Sequence, residues 1–166
     1  MIYNTTLTTE LGNITVASDG NALTGLWIEA QKYYPEEIGE FVEKEAFPIF
    51  TAVESWLKSY LKGDILPIDI DLAPQGNEFR QSVWRLLLQI PAGKVSTYGE
   101  IAKKIALDTD RASMSAQAVG GAVGHNPISI IIPCHRVVGS NGSLTGYAGG
   151  LDIKIKLLEI EEANLY

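Results

Sequence analysis

A single cysteine, Cys134, stands in this chain of 166 residues. No disulfide can form within the chain, and a zinc site built on paired cysteines is excluded. The fold must therefore be held by buried apolar side chains. The composition allows that, with 46% of residues hydrophobic and 20% charged, an ordinary globular balance. The length permits one domain or two small ones. No apolar run approaches the ~20 residues of a membrane helix. The opening Met1-Ile2-Tyr3-Asn4-Thr5-Thr6 lacks the basic-then-apolar pattern of a signal peptide. The expected address is the cytoplasm.

The net charge of −7 argues at first against a nucleic-acid partner. The average hides a division. Residues 1–75 hold 12 acidic and 4 basic side chains, whereas residues 76–166 hold 8 acidic and 9 basic. Between Arg80 and Arg136 there are 7 basic residues against 3 acidic ones. Both histidines, His125 and His135, also lie in the second half. This asymmetry suggests two units, 1–75 and 76–166, of which only the second could face a polyanion. A mildly basic solvated surface would look the same by charge alone.

Periodicity predicts different structure in the two halves. Ile14 to Ala17 and Leu23 to Ile28 read as strands flanking the turn sequence Asp19-Gly20-Asn21. Val53, Leu57 and Leu61 predict a helix over 49–62, stopped by Gly63. Ile68, Ile70 and Leu72 alternate with aspartates and predict a half-buried strand. Pro74-Gln75-Gly76 reads as a linker. Beyond it, Phe79, Val83, Leu86, Leu87 and Ile90 form one helical face, ended by Pro91-Ala92-Gly93. Thr97-Tyr98-Gly99-Glu100 is a capping box. It opens a helix with Ile101, Ala102 and Ile105 inward. A polar connection over 107–113 leads to a short helix over 115–123, so the pair is compatible with a helix-turn-helix. Leu151, Ile155 and Leu158 recur at helical spacing and predict a last helix from about Leu151. The expected class is α/β: a small N-terminal sheet-plus-helix domain, then a mainly helical domain with a helix-turn-helix.

Three stretches carry chemistry. The short helix contains Gly120-Gly121, and each interior glycine costs about 1 kcal/mol relative to alanine. Close packing inside the protein would explain the pair, and so would close approach of a ligand backbone. The run Ile128-Ser129-Ile130-Ile131-Ile132 reads as a buried extended segment delivering Pro133-Cys134-His135-Arg136 to its end. Neighbouring positive charge lowers a thiol pKa and raises the thiolate fraction, and the thiolate is the nucleophile. Adjacent side chains on an extended chain point to opposite sides, so a water or a sharp turn must link Cys134 to His135 if they cooperate. The glycine-rich stretches 139–143 and 146–150 leave backbone amides open to a planar ligand edge, or form a plain surface loop. Glu159, Glu161 and Glu162 oppose the dipole of the last helix by about 0.3–1 kcal/mol each. One of these acids could orient a histidine.

Pro133-Cys134-His135-Arg136-Val137-Val138 resembles the signature of the O6-alkylguanine-DNA alkyltransferases. The resemblance extends in order through Val83-Trp84, Ile90-Pro91-Ala92-Gly93, Thr97 to Ala102, Ala118 to Ala122, Asn126-Pro127 and Tyr147-Ala148-Gly149-Gly150. It implies that Cys134 accepts an alkyl group irreversibly from O6-alkylguanine, and O4-alkylthymine as a further substrate, in alkylated double-stranded DNA. His135 would act through a water as base, Glu161 would hold His135, and Asn126 would brace the turn before the site. Tyr98 would help rotate the nucleotide out and protonate the leaving guanine. The damaged base must leave the stack for its oxygen to be reached. The residues implied at the DNA are Arg80, Tyr98, Gly99, Gln117, Ala118, Gly120, Arg136, Val137, Ser140 and Ala148. No metal, no cofactor and a monomer are expected.

Two departures stand out. Gln117 occupies the family's intercalating arginine position, and the connection over 107–113 is longer than in many relatives. Three other readings share parts of the pattern. A damage-binding relative without activity would carry tryptophan at the acceptor position, which Cys134 opposes. A cysteine hydrolase using Cys134, His135 and Glu161 would turn over repeatedly. A DNA-binding regulator would be indifferent to loss of Cys134.

Overall fold

The computed structural model describes residues 1–29, 31–144 and 146–162. They form two compact units. Met1–Gln75 with Pro127–Ile131 make the first, and Gly76–Asn126 with the chain from Ile132 onward make the second.

The first unit is a four-stranded sheet with one long helix. Strands β1 (Tyr3–Thr9), β2 (Gly12–Ser18) and β3 (Leu23–Ile28) are antiparallel neighbours, and the short β4 (Glu40–Phe41) runs parallel to β1, giving the order β3-β2-β1-β4. The β2–β3 turn is held by the Asp19 carboxylate, which accepts from the Asn21 and Ala22 amides at 2.9 Å each. Those amides, Ala22 first, hold its carboxyl below the usual aspartate value. Gly20 supplies the positive φ of +99° that the turn requires. Strand β1 escapes the sequence reading because Leu7 is its only aliphatic residue. Its threonines are β-branched and suit a strand without marking an apolar face. Helix α1 (Pro48–Leu61) starts with proline at its first position and buries Phe50, Val53, Trp56, Leu57 and Tyr60. Gly63 follows it at φ +87°, its amide bonded to Tyr60 O at 2.8 Å.

The strand expected over 68–72 does not form. Ile68 is exposed, and the segment touches β3 only at a single bridge, Leu23 to Leu72. β3 is an edge strand, and two short stretches cover its open side. Residues 71–73 bond to Leu23, and residues 127–129 bond to Leu26. Alternation alone could not reveal a segment that has one residue's worth of partner. The run 128–132 is buried as expected but is not extended. Ile130 sits at φ +71°, with the Ile131 amide bonded to Ser129 O. A β-branched residue in that region costs of order 1–3 kcal/mol, and the buried surroundings hold it there.

The second unit is mainly helical. Asn77 caps α2 (Glu78–Leu88) by accepting from the Arg80 amide, and the helix buries Val83, Trp84 and Leu87. The Trp84 indole donates to Ala122 O at 2.9 Å. Helix α3 (Tyr98–Asp108) is capped by Thr97, whose hydroxyl accepts from the Glu100 amide at 3.0 Å. Asp110 at φ +55° ends it, and the Arg111 amide closes back onto Ala106 O at 2.8 Å. Ser115 then caps α4 (Ala116–Gly124) at the Gln117 and Ala118 amides. Helices α3 and α4 pack together as the helix-turn-helix. Strands β5 (Ser96–Thr97) and β6 (Val137–Val138) form a parallel two-residue ladder. Helix α5 (Leu151–Ile160) closes the described chain. Leu151 is 45% exposed, and the buried positions are Lys154, Leu157, Leu158 and the capping Glu161. That stripe follows i, i+3, i+4, i+7 as a buried helical face should, but both of its ends are ionisable. Among the described residues no helix is long and apolar enough to cross a membrane.

Candidate active site

The chain leaves the second unit at Asn126 and re-enters it at Ile132. Asn126 closes the neck of that excursion, its side-chain amide donating to Ile132 O at 2.7 Å. The same carbonyl accepts from the Cys134 amide at 2.8 Å across Pro133, whose φ of −83° and ψ of 66° make an inverse γ-turn. A single 3₁₀ turn, Cys134–Arg136, follows and runs into β6. The β5–β6 ladder ties this turn to Thr97, the cap of α3. The thiol and the helix-turn-helix are therefore fixed to one another through a few backbone bonds.

The turn sends three side chains inward. Cys134, His135 and Arg136 are 4%, 0% and 9% exposed. Burial pushes the Cys134 thiol upward. Hydrogen bonding from the Asn126 side chain, the charge of Lys154 and the Tyr147 hydroxyl oppose that rise by favouring the thiolate. Lys154 is itself fully buried, and its ammonium donates to Val137 O at 2.6 Å and to Gly146 O at 3.2 Å. Burial lowers its pKa from 10.5 to about 8, against the pull of Cys134.

A second group lies alongside. His135 Nε2 is 2.6 Å from Glu161 Oε2. Arg136 grips the same carboxylate with two bonds, Nε to Oε1 at 2.8 Å and Nη2 to Oε2 at 2.9 Å, and also donates to Ile90 O. Arg136 supplies the cation for Glu161, so His135 need not be charged. Burial holds the imidazole below its usual 6.5, ahead of the opposing Glu161. A neutral imidazole this close to a carboxylate donates through Nε2–H, which leaves Nδ1 with the lone pair of a base. Tyr147 stands edge-on to His135, with ring centroids 6.4 Å apart, and so borders both groups.

Tyr98 opens α3 beside the thiol. Burial raises its hydroxyl pKa, and the charge of Cys134 adds to the rise. Its ring passes close to α4, where a β-carbon built on Gly120 would lie 3.9 Å away. Its hydroxyl would lie 3.8 Å from one built on Gly146. A β-carbon on Gly121 would meet nothing within 4 Å. Internal packing therefore does not account for the glycine pair. The face of α4 formed by Gln117, Ala118 and Gly121 is exposed and carries no charge.

Two family models cover almost the whole chain. The ribonuclease-like domain of 6-O-methylguanine DNA methyltransferase matches residues 2–74, and the DNA binding domain matches residues 78–163. The chain belongs to the 6-O-methylguanine DNA methyltransferase family. It is 51% identical over 126 residues to a methylated-DNA–protein-cysteine methyltransferase of Methanosarcina mazei, covering 76% of this chain and 75% of the relative. The Methanosarcina acetivorans protein of that name is 44% identical, with 96% of this chain and 98% of the relative covered. A crystal structure of Mycobacterium tuberculosis OGT in complex with DNA superimposes with a TM-score of 0.82 at 38% identity, covering 96% of this chain and 92% of that one. The α/β architecture, a sheet-plus-helix part followed by a helical part, is that of the methyltransferase family.

Of the residues singled out in the sequence, the fold gathers Cys134, Asn126, Tyr98, His135 and Glu161 into this part of the second unit. Arg136 needs correcting. Expected at the DNA, it is turned inward with its guanidinium held by Glu161 and Ile90. The carbonyl of Val137, a residue expected at the DNA, accepts from Lys154. Gly99 and Ala148 are half-buried, Arg80 lies half-buried in the first turn of α2, and Ser140 is exposed in the loop after β6. The sequence reading missed Lys154 altogether and assigned Tyr147 no role of its own. The spacing of Lys154 from Glu161, seven residues along one helical face, was the available signal for the lysine.

Proposed function

We propose that this methyltransferase-family protein repairs alkylated duplex DNA by moving the alkyl group from O6 of guanine to Cys134 Sγ. The observation that carries the reading is the setting of the chain's one thiol, buried against Asn126, Lys154 and Tyr147 in the second unit. A buried structural cysteine needs none of these polar neighbours.

The thiolate attacks the alkyl carbon, an S–C bond forms, and the C–O6 bond breaks with its electron pair leaving on the guanine oxygen. Tyr98 supplies a proton to the departing base, and His135, acting through a water, accepts the proton that the thiol gives up. Glu161 and Arg136 hold His135 in the tautomer that can accept it. Lys154 stabilises the thiolate before attack. The product is a thioether, which no group in the site can reverse, so each molecule reacts once. Gln117, Ala118 and Gly120 form the face of α4 that enters the groove, with Gly99, Ser140 and Ala148 nearby contributing polar contacts. The protein works as a monomer in the cytoplasm, and O4-alkylthymine is a second substrate.

Intact mass after incubation with duplex DNA containing O6-methylguanine tests the reading. One methyl mass should appear per protein, mapped to Cys134, and activity should not return. Repeated turnover would make the protein a cysteine hydrolase instead, and a modified residue other than Cys134 would remove the proposed acceptor.

A further inference from the structure

Helix α3 and the long connection after it enclose a cleft of about 600 Å³ in the second unit. Its walls are apolar at Ala102, Ala106, Leu107 and Met114, and its charged lining is Lys103 and Arg111. Asp108 and Asp110 belong to the same stretch of chain, yet neither lines the cleft. Leu107 is 80% exposed, an unusual setting for a leucine that only serves packing. At one end the cleft reaches Ala116, the first residue of α4.

We propose that this cleft seats the phosphodiester backbone of duplex DNA, with Lys103 and Arg111 as its phosphate contacts. The inference rests on the DNA-repair reading above and locates a charge which that reading lacks. The exposed face of α4 has no cation, because Gln117 stands at its start. A phosphodiester strand carries charged phosphates and apolar sugar faces, and the cleft lining combines two cations with alanine, leucine and methionine. The cleft lining includes Ala116, the first residue of α4 and the neighbour of Gln117. Phosphate contacts of this kind set register and affinity without reading sequence. The lengthened connection is what makes the site. Asp110 in the left-handed region turns the chain, and the Arg111 amide is pinned to Ala106 O. The Arg111 backbone is therefore held at a fixed point in the cleft lining. A cation after a helix C-terminus also suits the helix dipole, but that role would show in stability and leave DNA affinity unchanged.

The test is titration of a fluorescent, unmodified duplex into the full-length protein at several salt concentrations. Arg111→Gln and Lys103→Gln should each weaken binding several-fold and lower the slope of log K against log salt by about 0.9, and the double variant by about twice that. Lys58→Gln, which removes a 70% exposed cation from α1, should leave the slope unchanged. Transfer from the free base O6-methylguanine should proceed at the parent rate in every variant. Unchanged slopes, or an equal change in Lys58→Gln, would overturn the assignment. So would a melting temperature that falls without a change in slope, since Arg111 would then serve α3 alone. So would a slower reaction with the free base. If the parent protein fails to self-methylate, the repair reading falls, while the slopes still report on the cleft.

Discussion

Around Cys134 a lysine, an arginine, a glutamate and a histidine are all buried, each with a partner closer than 3 Å. On the exposed face of α4, where a polyanion would lie, there is no charge at all. A chain built only for solubility would have these reversed. Desolvated charges are expensive, and they persist where geometry fixes their partners. At the thiol they are useful because a low dielectric strengthens their effect on ionisation. Under the proposed repair, the neutral face of alanine and glycine on α4 would let the backbone come close to a groove. On that reading strength of interaction is concentrated at the chemistry, and closeness of fit at the surface.

The comparison breaks first at Glu161. Glu161→Ala leaves the Arg136 guanidinium buried with no counter-charge, and removing one partner of a buried pair costs roughly 3–5 kcal/mol. A loss of unfolding free energy of that size, read from the urea midpoint and slope, is expected. Glu161→Gln keeps an acceptor for His135 and should lose less stability. Its transfer rate at saturating DNA should still fall by more than its DNA affinity does. Equal rates for Glu161→Gln and the parent would show that the carboxylate only holds the fold.

These two regions were unequally legible in the sequence. Cys134, His135 and Arg136 are adjacent and form a motif. The capping signal of Thr97 is local, and the Glu100 amide donates to its hydroxyl as that signal predicts. Lys154 was invisible for a physical reason. The search for helical periodicity follows apolar residues, and α5 buries a stripe whose ends are Lys154 and Glu161. Of the apolar residues at helical spacing, Leu151, Ile155 and Leu158, only Leu158 lies in that stripe. Arg136 misled in the opposite sense. An arginine beside a nucleophile suggests a phosphate contact, and only the three-dimensional position of Glu161, 25 residues along, reveals its internal partner. Ile130 shows a further gap, since no apolar pattern announces a β-branched residue at positive φ.

Lys154 sharpens the comparison more gently. Its charge favours the Cys134 thiolate against burial, so Lys154→Met should raise the thiol pKa further. Less thiolate is then present at a pH below the pKa. Alkylation of Cys134 by iodoacetamide should slow at pH 7, and its inflection should move to higher pH. Folding stability should shift little, because relief of a desolvated ammonium is offset by loss of its bonds to Val137 O and Gly146 O. The opposite pattern, lower stability with an unmoved inflection, would make Lys154 a brace for Val137 and Gly146 only.

The smallest effect is expected at Gln117, and it asks whether the neutral surface is a deficit or a design for fit. Gln117 is exposed in the first turn of α4, its amide capped by Ser115. Gln117→Arg places a cation there without touching the core. Duplex binding should tighten, and the salt slope should steepen by about one counterion. A cation near a helix N-terminus opposes the dipole by about 0.3–1 kcal/mol, so a slight loss of stability should accompany the gain in affinity. Gln117→Ala separates charge from shape. If the side chain occupies the space left by the rotated nucleotide, transfer from duplex DNA should slow while transfer from free O6-methylguanine is unchanged, because the free base needs no rotation. Equal slowing of both reactions would mean that Gln117 supports the site through α4 itself. No change in either would leave Ala118, Gly120 and Gly121 as the whole of the groove contact on α4, with affinity set by their closeness of approach and by whatever cations flank the helix.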